Sequence, residues 1–361
     1  MIRHASRKTF FLGGGVLAIP AVAFIVFYLW ATSGQLSPQE FELGALYAAD
    51  SLDNGAVDGE YTIVTYNVGY ASGMTNNTAN NASEAEYDEN LQTIIAALQS
   101  VQPDFVAFQE IDYGSARSYY REQLRLIADG LGLRYRAKGY NWDCTYLPFP
   151  YWPPSAHYGR MLSGQAIASA FPITAHAKTT LIKPAERPFY YNAFYLDRIV
   201  QRVEIDIEGT TLTLLNVHLE AYMKGTREAQ AREVAEIVRQ YNDGPLILLG
   251  DFNAAPEWVQ RQGESINTDA DTELLDDITL AILLADTGLT LAIPEADYAE
   301  ARPSTQHLQF SEPHRADRSH LLQQPYRASH CPRAPGGRHR LRPFSGTHDV
   351  FVRRRINRRG L

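Results

Sequence analysis

Lysine is scarce in this chain of 361 residues: five precede residue 302 and none follows it. Residues 1–301 carry 20 Lys and Arg against 38 Asp and Glu, a net charge of −18. Grip on duplex nucleic acid relies on basic side chains that neutralise phosphates, so this balance disfavours a nucleic-acid partner. Cysteine is scarcer still. Cys144 and Cys331 are the only two; they say little about redox compartment and leave no metal-ligand spacing. With no His/Cys cluster, zinc is disfavoured as well. The last sixty residues differ in kind: 302–361 hold 13 Arg, no Lys and three acids, a net of +10. The overall charge of −8 therefore conceals two stretches of opposite sign. A hydrophobic content of 45% leaves ample material for one large core.

Four short stretches dominate what is present. Leu246–Pro256 reads LILLGDFNAAP, four large aliphatics followed by Gly250, Asp251 and Asn253. The aliphatics predict a fully buried strand. A carboxylate and a carboxamide at its end can position a water or a metal-bound oxygen; the plainer alternative is a strand followed by a polar turn. Tyr61–Tyr70, YTIVTYNVGY, is an alternating strand ending on Asn67, and Asp104–Asp112, DFVAFQEID, is a buried strand ending on Glu110. Leu212–Glu220, LTLLNVHLE, carries Asn216 and His218.

In this order and with these side chains, the set resembles the endonuclease/exonuclease/phosphatase superfamily, metal-dependent phosphoesterases with a sphingomyelinase/DNase-I-like fold. The likeness covers roughly residues 61–257. It implies an α/β fold, a two-sheet sandwich flanked by helices. It further implies that Glu110 binds a metal and Asn67 supports metal or phosphate. Asp251 would orient the attacking water, Asn253 would fix Asp251 or the phosphate, and His218 would stabilise phosphate oxygens. Hard oxygen ligands suit Mg²⁺, with Mn²⁺ the alternative ion, since Mg²⁺ takes one or two carboxylates plus water and phosphate. A phosphodiester resists attack because its oxygens are anionic, so positive charge and an oriented water are what such a site must supply.

The rest of the chain falls around these strands. Residues 1–9 read as a cytoplasmic N-terminus, with Arg3, Arg7 and Lys8 preceding an apolar run, Phe10–Ala31. That run is long enough for a transmembrane helix, and the basic flank places the following domain outside the cytoplasm, on a single-pass membrane protein; a cleaved signal is the alternative. Residues 32–60 read as a polar tether and 61–301 as the catalytic domain. Ala71–Glu89 is a surface loop with formal glycosylation acceptors in Asn76-Asn77-Thr78 and Asn81-Ala82-Ser83. Helical spacing marks Leu91–Val101, a second helix spans about 117–130, and Gly225–Tyr241 is an amphipathic helix. Residues 140–158 are too rich in aromatics and proline for a helix or central strand, and form a packed loop or a substrate- or membrane-facing lip. Arg198–Ile207 and Thr211–Leu219 form a hairpin across Glu208-Gly209.

One family motif is missing. The final Ser-Asp-His-x-Pro strand, and the Asp-bearing strand before it, have no counterpart; Asp317–His320 and Thr347–Val350 offer the wrong order. Codons compatible with Arg340–Phe351, read one base later, encode Ala-Ser-Asp-His-Phe-Pro. Codons compatible with Asp317–Ala328 encode Ile-Asp-His-Ile-Phe in the same frame. Residues 302–361 therefore read as an out-of-frame, disordered tail, leaving the C-terminal strands absent and a sheet edge open. The expected activity is a Mg²⁺-dependent phosphodiesterase, tethered to the membrane and monomeric, on a lipid-like or small phosphodiester. The alternatives are a secreted-side nuclease, or an inactive remnant lacking the Asp-His pair.

Overall fold

The computed structural model describes residues 5–48, 60–76, 81–241, 243–254, 276–292 and 355–357. These lie in one compact unit; a second, 293–345, falls outside the described residues. Two sheets are built in chain order. The first takes β1 (Ala45–Tyr47), β2 (Glu60–Asn67), β3 (Phe105–Asp112), β4 (Tyr135–Leu147), β5 (Gly159–Ser169) and β10 (Arg355–Asn357), in the order β1-β4-β5-β3-β2-β10. The second runs β6 (Ile173–Thr180), β7 (Ile199–Ile207), β8 (Thr210–His218), β9 (Leu246–Asp251), each beside the next. Most pairings are antiparallel, but β2 lies parallel to β3 and β8 parallel to β9. Those two parallel pairs carry all four motif strands.

Period-two alternation sorts the side chains into layers. On β2 and β3, Ile63, Phe105 and Ala107 face the second sheet and meet Val203, Ile205, Leu212 and Leu214. Their neighbours Val64, Val106 and Phe108 face the other way, onto α3 (Glu84–Val101) and α4 (Gln123–Leu131) through Leu91, Ile94, Leu124 and Ile127. The outer face of the second sheet is covered by α6 (Lys224–Gln240) and α7 (Thr279–Thr287). The result is the expected mixed sandwich with helices on both outer faces.

Several local expectations change. Helix α3 begins at Glu84, inside the stretch read as a loop, because Ser83 and Glu86 form a reciprocal capping box, worth about 1 kcal/mol. The second helix starts late, at Gln123, because Tyr119 and Tyr120 are at positive φ, which an α-helix cannot carry. Residues 140–147 belong to strand β4, paired with β5 through two register shifts that accommodate the bulky residues; only 148–158 is loop. The hairpin is confirmed, with Glu208 and Gly209 both at positive φ as a two-residue turn requires. Leu246–Leu248 are half-buried rather than fully buried, since β9 is the last strand of its sheet among the described residues.

The N-terminal region also departs from expectation. Residues 32–60 are not simply a tether: α2 (Pro38–Leu43) has its own capping box at Ser37, and β1 adds to β4 at the sheet edge. The apolar run lies within α1 (Ala5–Thr32). Among the described residues no helix is long and apolar enough to cross a membrane, so the transmembrane expectation gains no support. The segment read as out of frame lies outside the described residues except β10, which pairs antiparallel with Glu60–Thr62 and covers part of the edge expected to stay open.

Candidate active site

The parallel pairs end side by side. On β2, Asn67 is buried and donates from Nδ2 to Asp251 Oδ2 at 2.8 Å, while its Oδ1 accepts from the Gly69 amide at 3.0 Å. Asp251 stands directly opposite His218 across the β8–β9 ladder. Gly250 permits that approach: a Cβ there would lie 2.0 Å from the Val217 carbonyl oxygen, and its φ is +139°. Beyond the strand, the Asn253 amide donates to Asp251 Oδ1 at 3.0 Å, and its carboxamide donates to the Leu219 carbonyl at 2.9 Å. Asn253 is thus spent on holding the Asp251 turn.

Glu110 arrives by a different device. It sits at φ +51° where the β3–β5 register slips between Phe108 and Ile111, a bulge that re-aims its side chain. Its Oε2 accepts from Asn76 Nδ2 at 3.1 Å, and its Oε1 lies 3.8 Å from His218 Nε2. His218 Nε2 is also 3.6 Å from Asp251 Oδ2. The structure therefore brings all five predicted residues into one cluster. Burial raises the Glu110 carboxyl; the Asn67 carboxamide works against that, and the charge of Asp251 adds to it. Burial, aided by Arg198, holds the His218 imidazole well below its ordinary value, so it is neutral near pH 7.

Four neighbours went unassigned in the sequence. Asn76, read there as a loop residue and glycosylation acceptor, reaches Glu110, and its own Oδ1 is buried with no hydrogen-bond partner. Glu220, two residues past His218 and on the same strand face, accepts from the Tyr195 hydroxyl at 3.0 Å on both oxygens. Arg198 is buried, donates from Nη2 to that hydroxyl at 3.3 Å, and stands 3.9 Å from Glu220. Its Nε and Nη1 have no hydrogen-bond partner. The period-two position of Glu220 was readable; the approach of Arg198 was not. Asn216 has another task. Its carboxamide bonds Phe108 and Ala166 carbonyls and accepts from Gln109 at 2.7 Å, stapling the two sheets beneath the site.

Among the described residues no group of three or more His, Cys, Asp or Glu is arranged to hold a metal. The donors present are nonetheless the hard oxygens Mg²⁺ prefers, which needs few carboxylates. Glu110, Asn67 and the unpartnered Asn76 Oδ1 fit that ion on donor chemistry. The class that emerges is an α/β sandwich with carboxylate, carboxamide and imidazole groups converging at the ends of two parallel strand pairs.

The sequence pattern of the Endonuclease/Exonuclease/phosphatase family matches residues 64–341, and the chain belongs to that family. The matched span passes residue 302, so it lends no support to ending the domain at 301. Similar solved structures include an endonuclease/exonuclease/phosphatase from Beutenbergia cavernae DSM 12333, 18% identical with a TM-score of 0.41, covering 62% of this chain and 52% of that one. A mannosyl-6-phosphatase from Bacteroides thetaiotaomicron VPI-5482 is 17% identical with a TM-score of 0.36, at 54% and 65% coverage. The human Nocturnin catalytic domain, with bound sulfate, is 17% identical with a TM-score of 0.38, at 64% and 76% coverage. The chain thus spans about half the length of the first of these. No curated protein matches.

Proposed function

We propose that the chain is a Mg²⁺-dependent phosphodiesterase, with Mn²⁺ as an alternative ion, acting on a lipid-like or other small phosphodiester outside the cytoplasm. The observation that carries this reading is the convergence of Asn67, Glu110, His218, Asp251 and Asn253 from two sheets. Glu110 and Asn67, with Asn76 beside them, would hold the ion, which when bound supplies positive charge at the phosphate. Asp251, fixed by Asn67 on one oxygen and by the Asn253 amide on the other, orients the attacking water and accepts its proton. Neutral His218 donates from Nε2 toward a phosphate oxygen. Arg198 has two free donors and places a fixed charge where negative charge grows.

A second reading, an inactive remnant, is favoured by the missing Asp-His motif, and one assay separates the two. Turnover of bis(p-nitrophenyl) phosphate is measured with Mg²⁺ and with chelator, for the chain as given and for a gene carrying one compensating base near codon 302. The expected result is chelator-sensitive turnover in the restored protein and little in the chain as given. Asp251→Ala in the restored protein should lower turnover by roughly 10²- to 10⁴-fold with little loss of fold. Wild-type turnover in that variant would remove Asp251 from the mechanism. Full activity of the given chain, abolished by deleting 302–361, would overturn the frame argument.

A further inference from the structure

Helix α1 does not leave the domain as a loose thread. Asp143 Oδ2 accepts from the amides of Gln35 and Leu36, both at 2.9 Å, and the Thr145 amide donates to the Ser33 carbonyl at 2.7 Å. Arg160 pairs with the same Asp143 at 2.6 Å. Aromatic rings complete the joint: Trp30 stacks on Tyr146 at 5.8 Å, and Tyr28 meets Phe189 and Phe194 edge-on. The end of the helix is thereby joined to the domain by hydrogen bonds and ring contacts.

The described turns of that helix present an apolar surface. Residues 19–29 read IPAVAFIVFYL, and all but half-buried Tyr28 are exposed around the whole circumference. Ile19, Val22, Phe24, Val26 and Leu29 are each about 60% exposed or more. A second copy or a protein partner covers one stripe of a helix, whereas a helix apolar on every side belongs among acyl chains or in a core. The ring types are also graded. Aliphatics occupy the stretch away from the domain, and Trp30, Tyr28 and Tyr146 gather at the junction, the distribution expected where hydrocarbon gives way to headgroups.

Further exposed aromatics lie on the helix packed beside α1 and on the loop between β4 and β5. Helix α5 (Phe189–Phe194) presents Phe189, 78% exposed, and Tyr190; the β4–β5 loop presents Tyr151 and Trp152, the latter 77% exposed. A 290 Å³ groove between α1 and α5 is walled by Phe24, Ile25, Tyr28, Leu29, Phe189 and Tyr190. Both aromatic segments are anchored to the domain. Tyr195, next after α5, donates to Glu220, and Tyr158, which closes the loop, stacks near Arg117, itself over the Tyr70 ring.

We propose that Tyr151, Trp152, Phe189 and Tyr190 form an interfacial rim that seats in a bilayer surface alongside α1. The rim turns the catalytic cleft toward the phosphodiester headgroup of a membrane lipid. The substrate part of this inference rests on the phosphodiesterase reading; the seating does not. The full chain and three variants, Trp152→Ser, Trp152→Phe and Phe189→Ser/Tyr190→Ser, are reconstituted with phosphatidylcholine vesicles containing brominated lipid. Seating predicts that lipid bromines quench the tryptophan fluorescence, and that the fraction lost on Trp152→Phe is quenched too. With the frame-restored protein, the rim variants should keep turnover of bis(p-nitrophenyl) phosphate within about twofold. They should lose about tenfold or more on a vesicle phospholipid. Equal loss on both substrates, or a Trp152 signal untouched by the bromines, overturns the rim. If the restored protein hydrolyses neither substrate, the phosphodiesterase reading fails, and the quenching alone decides the seating. A rim whose substitution dissolves a dimer instead would be a protein interface, and the proposal would be wrong.

Discussion

Two of the buried arginine–carboxylate pairs in the domain are built to different standards. Arg117 grips Asp112 with two hydrogen bonds of 3.1 and 3.0 Å, Ser115 and Ser163 also bond Asp112, and the guanidinium lies 3.3 Å from the centre of the Tyr70 ring. Nothing in that pair is left over. Arg198 stands 3.9 Å from Glu220, and two of its nitrogens have no hydrogen-bond partner. Leaving buried donors unpaired is costly, which is why folded proteins rarely do it. On the proposed reading, the fully paired arginine holds the fold and the open one is available to an anion.

The comparison can be broken most forcefully on the closed side. Arg117→Met leaves Asp112 buried without its partner and should cost about 3–5 kcal/mol of stability, read as a fall in urea midpoint. A variant as stable as wild type would mean the pair is no structural element. On the open side the signs reverse. Arg198→Met should cost less stability than Arg117→Met, because Glu220 keeps its hydrogen bonds from the Tyr195 hydroxyl, yet lower phosphodiester turnover by roughly 10²- to 10³-fold. If it instead unfolds the protein while the surviving fraction turns over normally, Arg198 is structural after all.

The smallest expected effect sharpens the same contrast with histidines. Burial pushes His176 down to about 4, and the backbone of Leu43 partly offsets this. A histidine lowered in the folded state stabilises above its unfolded value, about 6.5. That contribution is lost as pH falls from there toward 4. His176→Gln should therefore flatten the acid limb of the stability curve over that window while leaving turnover near wild type. His218 has the same sign of shift but lies in the cleft, so His218→Gln should reduce turnover at any pH. An unchanged acid limb in His176→Gln would place the acid sensitivity elsewhere.

The catalytic strands were legible because their signal is local. LTLLNVHLE alternates, so Asn216, His218 and Glu220 had to share a face, and the structure puts all three there, although only His218 was singled out for chemistry. Asn76 was misjudged because its Asn- and Ser-rich surroundings look like any solvated loop; only the folded chain brings it to Glu110. Residues 140–147 were misjudged for the opposite reason. Aromatics and the prolines just beyond them argued against a strand, but β5 offered a partner along the whole length and the register slips absorbed the bulk.

What the sequence determined by itself is the four motif strands and the order in which they deliver Asn67, Glu110, His218, Asp251 and Asn253. Those depend on periodicity and on residues within a few positions of one another. What only the tertiary structure decided is the bulge that turns Glu110 inward, the half-open pairing of Arg198, and the seating of α1 beside α5. Each of these depends on distances between residues far apart in the chain, which register and packing set and no local pattern encodes.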